Sequence, residues 1–248
     1  MKKKNTGYII LTILAILSFI GMFIVSPIEQ DKSYHSFSDI RTLFDIPNFW
    51  NVISNLPFLI VGFLGLYNLN SIASKKTQYL LFFLGIVLIA FGSVYYHLDP
   101  NDYTLIWDRL PMTIAFMALF SIVISEFINS GKGRSMLFSL LIIGLLAVLY
   151  WVIFNDLSFY AFVQFYPLLA IPVILIFFKS DYTLAIGYWI LLLAYIIAKL
   201  LEHFDGEVYG FLKVISGHSL KHIVASLGIF VLFYTFVKRK QISHIRHE

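Results

Sequence analysis

Eight apolar stretches, each long enough to cross a bilayer as a helix, follow one another along this chain with short polar connections between them. A spanning helix needs roughly 20 mostly apolar residues, and in lipid its backbone polar groups must pair within the helix itself. Such a chain has few alternatives to a bundle of membrane-crossing helices. The stretches are Tyr8–Val25, Trp50–Leu69, Tyr79–Tyr96, Leu110–Ile128, Met136–Ile153, Phe159–Phe178, Leu184–Leu201 and Leu220–Val237. Of 248 residues, 59% are hydrophobic and 13% are charged, against roughly 25% charged in soluble domains. The expected fold class is therefore all-α, a polytopic membrane helical bundle. No hydrophilic run is long enough for a second folded domain, and neither a phosphate-cradling Gly-rich loop nor a nucleic-acid signature is present. Cysteine is absent, so any metal must bind through His, Asp or Glu.

Orientation follows from the basic residues. With Lys2, Lys3 and Lys4 in the cytoplasm and strict alternation, the cytoplasmic segments also hold Lys75, Lys76, Lys132, Arg134, Lys179, Lys238, Arg239, Lys240 and Arg246. Most acids, from Glu29 and Asp31 to Glu202, Asp205 and Glu207, fall on the other side. Both termini are expected to be cytoplasmic. The first stretch also resembles a signal peptide, but Ile24 and Ser26 followed by Pro27 make a poor cleavage site, so an uncleaved anchor is the preferred reading. The organisation expected is 1–30 as an N-terminal anchor, 31–48 as an extracytoplasmic segment, 49–238 as a seven-helix core domain and 239–248 as a cytoplasmic tail.

Into this apolar chain are set Ser93, His97, Asp108, His218 and His222. Ser93 and His97 are four residues apart on one helix face, as are His218 and His222. Pro100 and Asn101 turn the chain before Asp108, with Pro111 expected just inside the next helix start. Ser216-Gly217 is expected to cap the last helix. Alternation alone brings all five groups to the extracytoplasmic level. Catalytic zinc takes three protein ligands and one water, whose pKa it lowers towards 7. His97, His218 and His222 are the candidate ligands. Asp108 is the candidate acid or base, and Ser93 the candidate hydrogen-bond partner of the water or a developing oxyanion. No HExxH is present, because Ser-Leu-Lys separates His218 from His222, so the carboxylate must come from another helix. The plainer readings are interfacial histidines and an Asp108–Arg109 ion pair or helix cap. Joint placement favours a site, since ionisable groups inside membrane bundles are functional by default.

The runs Gly92–His97, Trp107–Met112, Ser216–His222 and Pro47–Asn55 together resemble the alkaline ceramidase family. This family lies within the seven-helix membrane hydrolases that include the adiponectin receptors, and the resemblance extends roughly from Phe37 to Val237. It implies a seven-helix core, from which the extra N-terminal transmembrane helix of this chain is a departure. It also implies a zinc-dependent amidase releasing a fatty acid from ceramide or a related N-acyl lipid, with membrane lipids as its other partners. His97, His218 and His222 match the zinc ligands, and Ser93 and Asp108 the supporting catalytic residues. Eukaryotic members carry an acidic calcium-binding segment before the first core helix. Here Asn48 stands where Glu is expected, and Asp39, Asp45 and Asn48 are too few for the 6–8 oxygens calcium takes, so Ca2+ is not predicted. The extra helix and Lys-rich start suggest a bacterial homologue in the cytoplasmic membrane. Rival readings are a receptor or sensor with a structural zinc site, and a transporter; no mid-helix break recurs in two halves, which weakens the latter.

Remaining polar residues have simpler expectations. Lys199 and Glu202 are expected to pair, as an ion pair or as support for the metal site. Lys221 is expected to snorkel to lipid phosphate or bind an acyl carboxylate, with snorkelling preferred. His203 is read as interfacial, and Glu126, His244 and His247 as solvated.

Overall fold

The computed structural model describes residues 2–72 and 75–242. It holds eight helices long and apolar enough to span a membrane: α1 (Lys2–Val25), α2 (Phe49–Tyr67), α3 (Thr77–Leu98), α4 (Asp102–Phe127), α5 (Ser130–Phe154), α6 (Ser158–Phe177), α7 (Ile186–His203) and α8 (Gly217–Lys238). Among the described residues no strand forms beyond two isolated bridges. The chain is thus an all-α multi-pass membrane protein. His244, Arg246 and His247 lie outside the described residues.

Several helices begin earlier than hydropathy suggests, because a helix can open on polar residues that an apolar count ignores. The clearest case is α4. Asn101 caps it by accepting from the Thr104 amide, while the Thr104 hydroxyl accepts from the Asn101 amide. Pro111 therefore lies in the helix interior, which corrects its expected place in the first turn. There it deprives the Trp107 carbonyl of its helical donor. Gly92 of α3 sits against that carbonyl so closely that a Cβ would fall 1.9 Å from the oxygen. The missing side chain and the freed carbonyl let α3 and α4 touch beside Ser93 and Asp108.

The central helix is α4, whose cytoplasm-expected half packs Ile122 and Val123 against Phe82, Phe83, Leu232 and Phe236 of α3 and α8. The second span is broken at Ser54-Asn55 into Phe49–Ile53 and Leu56–Tyr67. By contrast α1 stands at the periphery with only Gly7 buried, pressed on Phe177 and Phe178. Its far end is tied down by Asp156, which accepts from the Ser26 hydroxyl at 2.6 Å and the Ile28 amide at 2.9 Å.

Glu126, expected to be solvated, is instead buried, 3% exposed. It is ion-paired with Arg239 at 2.5 Å and receives the Tyr79 and Tyr188 hydroxyls at 2.5 and 2.8 Å. A carboxylate at this depth needs such partners, and they come from three other segments that the linear sequence does not connect. Arg239 in turn stacks 4.0 Å from the Tyr182 ring. The Glu126 carbonyl accepts from the Asp181 amide, and the Asp181 carbonyl from the Ile242 amide, so the segment just after α8 is fastened to the loop before α7.

Candidate active site

At the opposite end of the bundle, the last turn of α3 and the first turns of α8 bring three imidazoles together. Ser216 caps α8 by accepting from the Ser219 amide, and Asp205 accepts from the His218 amide at 2.6 Å, so His218 and His222 project from a fixed helix start. The rings of His97, His218 and His222 form a near-equilateral triangle with centroids 4.9, 5.1 and 5.1 Å apart. One candidate ligand nitrogen from each lies within 4.8 Å of the others, and all three residues are buried. Phe37, from the segment ahead of the core, covers His97 and His218 with its ring 4.7 Å from each.

Two observations fit this triad to a metal ion. Ser54 sits between the Asn51 carbonyl at 3.1 Å and His222 Nδ1 at 2.8 Å, and a hydroxyl turned to the carbonyl accepts from His222. Nδ1 of His222 then carries the proton, and Nε2 presents a lone pair. In addition, His97 Nδ1 is buried with no hydrogen-bond partner, a vacancy of bonding that a cation would fill. Three buried histidines, one with its Nδ1 held by a hydroxyl, are a donor set of the kind catalytic zinc sites use.

Ser93, Asp108 and His222 line one cavity of about 260 Å³. The Ser93 hydroxyl interacts with the Asp108 carboxylate. Asp108 forms no ion pair with Arg109, whose guanidinium turns to Trp151, Tyr160 and Tyr34 at 4.4, 5.1 and 5.5 Å. Away from these polar groups the cavity is walled by Phe58, Phe82, Ile86, Leu119, Ile171 and Ile229. It is therefore an amphiphile-shaped space, polar at the histidine end and apolar towards the bundle centre. Helices apolar all round had given no way to tell lipid-facing from cavity-facing residues.

Charged neighbours close the polar end. Lys199 and Glu202 pair at 2.6 Å, as their spacing predicts. Lys221 does not snorkel; it turns inward to Glu202 at 2.8 Å and lies 3.0 Å from His218 Nε2, because Glu202 offers a half-buried counter-ion one helix away. Burial pushes the Tyr34 phenol up, so it stays a neutral donor to Glu202 at 3.3 Å. His203 is exposed and packs on Phe204 instead.

Around the triad stand residues that sequence reasoning had not assigned. Asn48 donates to the His97 carbonyl at 2.9 Å, and Asn51 accepts from Ser219 at 2.6 Å. Asn48, Asn51 and Asn55 recur at three- and four-residue intervals, a helix-face signal open to reading had their polarity been weighed. Asp39 is held by Arg41 in a two-point ion pair at 2.8 and 2.6 Å, and Asp45 is exposed.

A whole-family comparison gives the same direction. No curated protein resembles the chain closely enough to count as a match. The family profile described as Ceramidase matches residues 42–247, which takes in every helix from α2 to α8 and all five candidate residues. The chain belongs to the ceramidase family.

Proposed function

We propose that the protein is a membrane-embedded, zinc-dependent hydrolase of linear amides, cleaving the N-acyl bond of ceramide or a related N-acyl lipid. The observation that carries this reading is the buried histidine triad opening, through His222, on a cavity whose polar end also holds Ser93 and Asp108. His97, His218 and His222 would hold the ion, which when bound supplies Lewis-acid polarisation and an acidified water. Asp108 takes the proton from the attacking water and returns it to the leaving amine, the general acid–base role the reaction needs from a second helix. Ser93 orients that carboxylate and offers its hydroxyl to the oxygen on which charge develops. Ser54 keeps His222 in one tautomer. The apolar walls hold the acyl chain and keep bulk water from it. By the distribution of basic residues, the site faces the extracytoplasmic side with both termini in the cytoplasm.

Purified protein prepared without chelator should carry one zinc per chain and release fatty acid from N-acyl sphingoid lipids. His97→Ala should lose the metal. Asp108→Asn should keep it while turnover drops about 10²–10⁴-fold. Full zinc occupancy with no turnover across lipid amides and esters would turn the reading to a sensor with a structural metal. Absence of bound metal would end it.

A further inference from the structure

The cavity that receives the candidate catalytic groups is lined by three cations, Arg109, Lys199 and Lys221, and two carboxylates, Asp108 and Glu202. The lysines share Glu202, at 2.6 and 2.8 Å. Asp108 feels Lys221 and Arg109 but is in ion-pair contact with neither, and the Ser93 hydroxyl beside it carries no charge. Arg109 acts on the neighbouring Asp108 only at a distance: among the described residues it has no ion pair, and its Nη1 is buried without a hydrogen-bond partner. The residue is only 8% exposed. Its neighbours are the faces of Tyr34, Trp151 and Tyr160, which hold the guanidinium through its π surface. Ring faces leave the in-plane N–H donors unfilled, and a guanidinium presents five of them in a fork that matches a carboxylate or phosphate. A buried guanidinium with unfilled donors and no direct ion pair is costly, and it has room for an anion from elsewhere.

The rest of the cavity says what carries that anion. Beyond the polar end the walls are aliphatic and aromatic, so the occupant has a hydrocarbon body. We propose that Arg109 anchors an anionic oxygen group on an acyl lipid whose chain fills the apolar part of the cavity. Two sources share this chemistry: the carboxylate set free by hydrolysis, and an anionic head group on the uncleaved lipid. The inference rests on the cavity being the acyl-lipid site, and not on the hydrolysis itself.

Binding rather than turnover tests it. Affinities of the full chain in zwitterionic nanodiscs are measured for palmitate against hexadecanol, and for N-palmitoylglycine against N-palmitoylethanolamine. At least one anionic member should bind about tenfold or more tightly than its neutral partner. Arg109→Gln should erase that difference while leaving the neutral lipid's affinity in place, and Arg109→Lys should retain part of it. Discrimination confined to palmitate identifies the product carboxylate; discrimination with N-palmitoylglycine identifies a head group. Equal affinity within both pairs in the unaltered protein overturns the proposal with no variant needed, as does discrimination that survives Arg109→Gln. A protein that discriminates charge but holds no metal would sink the hydrolase reading and leave this one standing.

Discussion

At the scale of single residues, Ser54 lies outside the cavity lining, yet its hydroxyl meets His222 Nδ1 and so bears on which nitrogen of that ring is free. Partners of this kind typically tune metal affinity 10–100-fold. Ser54→Ala should therefore weaken zinc binding by about that factor, read by chelator competition, while zinc remains one per chain at saturation. Unchanged affinity would detach Ser54 from the site. The three histidines were legible in the sequence because a period of four and a fixed number of crossings leave them little choice of position. Ser54 and Arg109 were not. Their roles depend on a proton's direction and on a missing partner, and neither is written in spacing.

Among elements, the contact of α3 with α4 does most to set the distance between Ser93 and Asp108. It depends on Gly92 lying against the Trp107 carbonyl that Pro111 leaves free. A methyl group at Gly92 has nowhere to go but into that carbonyl, so Gly92→Ala should cost about 1–3 kcal/mol of stability. Because the wedge opens where Ser93 and Asp108 face each other, residual folded protein should also turn over more slowly than its metal content predicts. Thermal unfolding and activity per bound zinc check the two halves. Hydropathy found every span but misplaced the start of α4, since Asp102, Asp108 and Arg109 dilute the apolar count around Leu105–Trp107 until the cap at Asn101 is recognised. The same apolar count merges the two halves of α2 into one span, although Ser54-Asn55 with Pro57 just beyond marks the break.

For the molecule as a whole, the peripheral helix α1 is joined to the rest at Asp156, in the turn between α5 and α6. Burial raises this carboxyl, but hydrogen bonds from Ser26, Ile28 and Ser158 outweigh it and hold the pKa at about 2. A depressed folded-state value means the stabilisation is whole above the unfolded value near 4, and fades as pH falls from about 4 to about 2. Asp156→Asn should destabilise the protein by about 2 kcal/mol at neutral pH and remove that part of the acid sensitivity, as seen by thermal unfolding across this range. The opposite end has a consequence for how the chain is made. Glu126 finds its counter-ion 113 residues further on, at Arg239. While the protein is being synthesised, α4 enters the membrane carrying a carboxylate that nothing yet neutralises, and it stays so until the last helix has been laid down. A product cut short before Arg239 leaves Glu126 buried without its counter-ion, and should be the less stable for it however complete the histidine site has become.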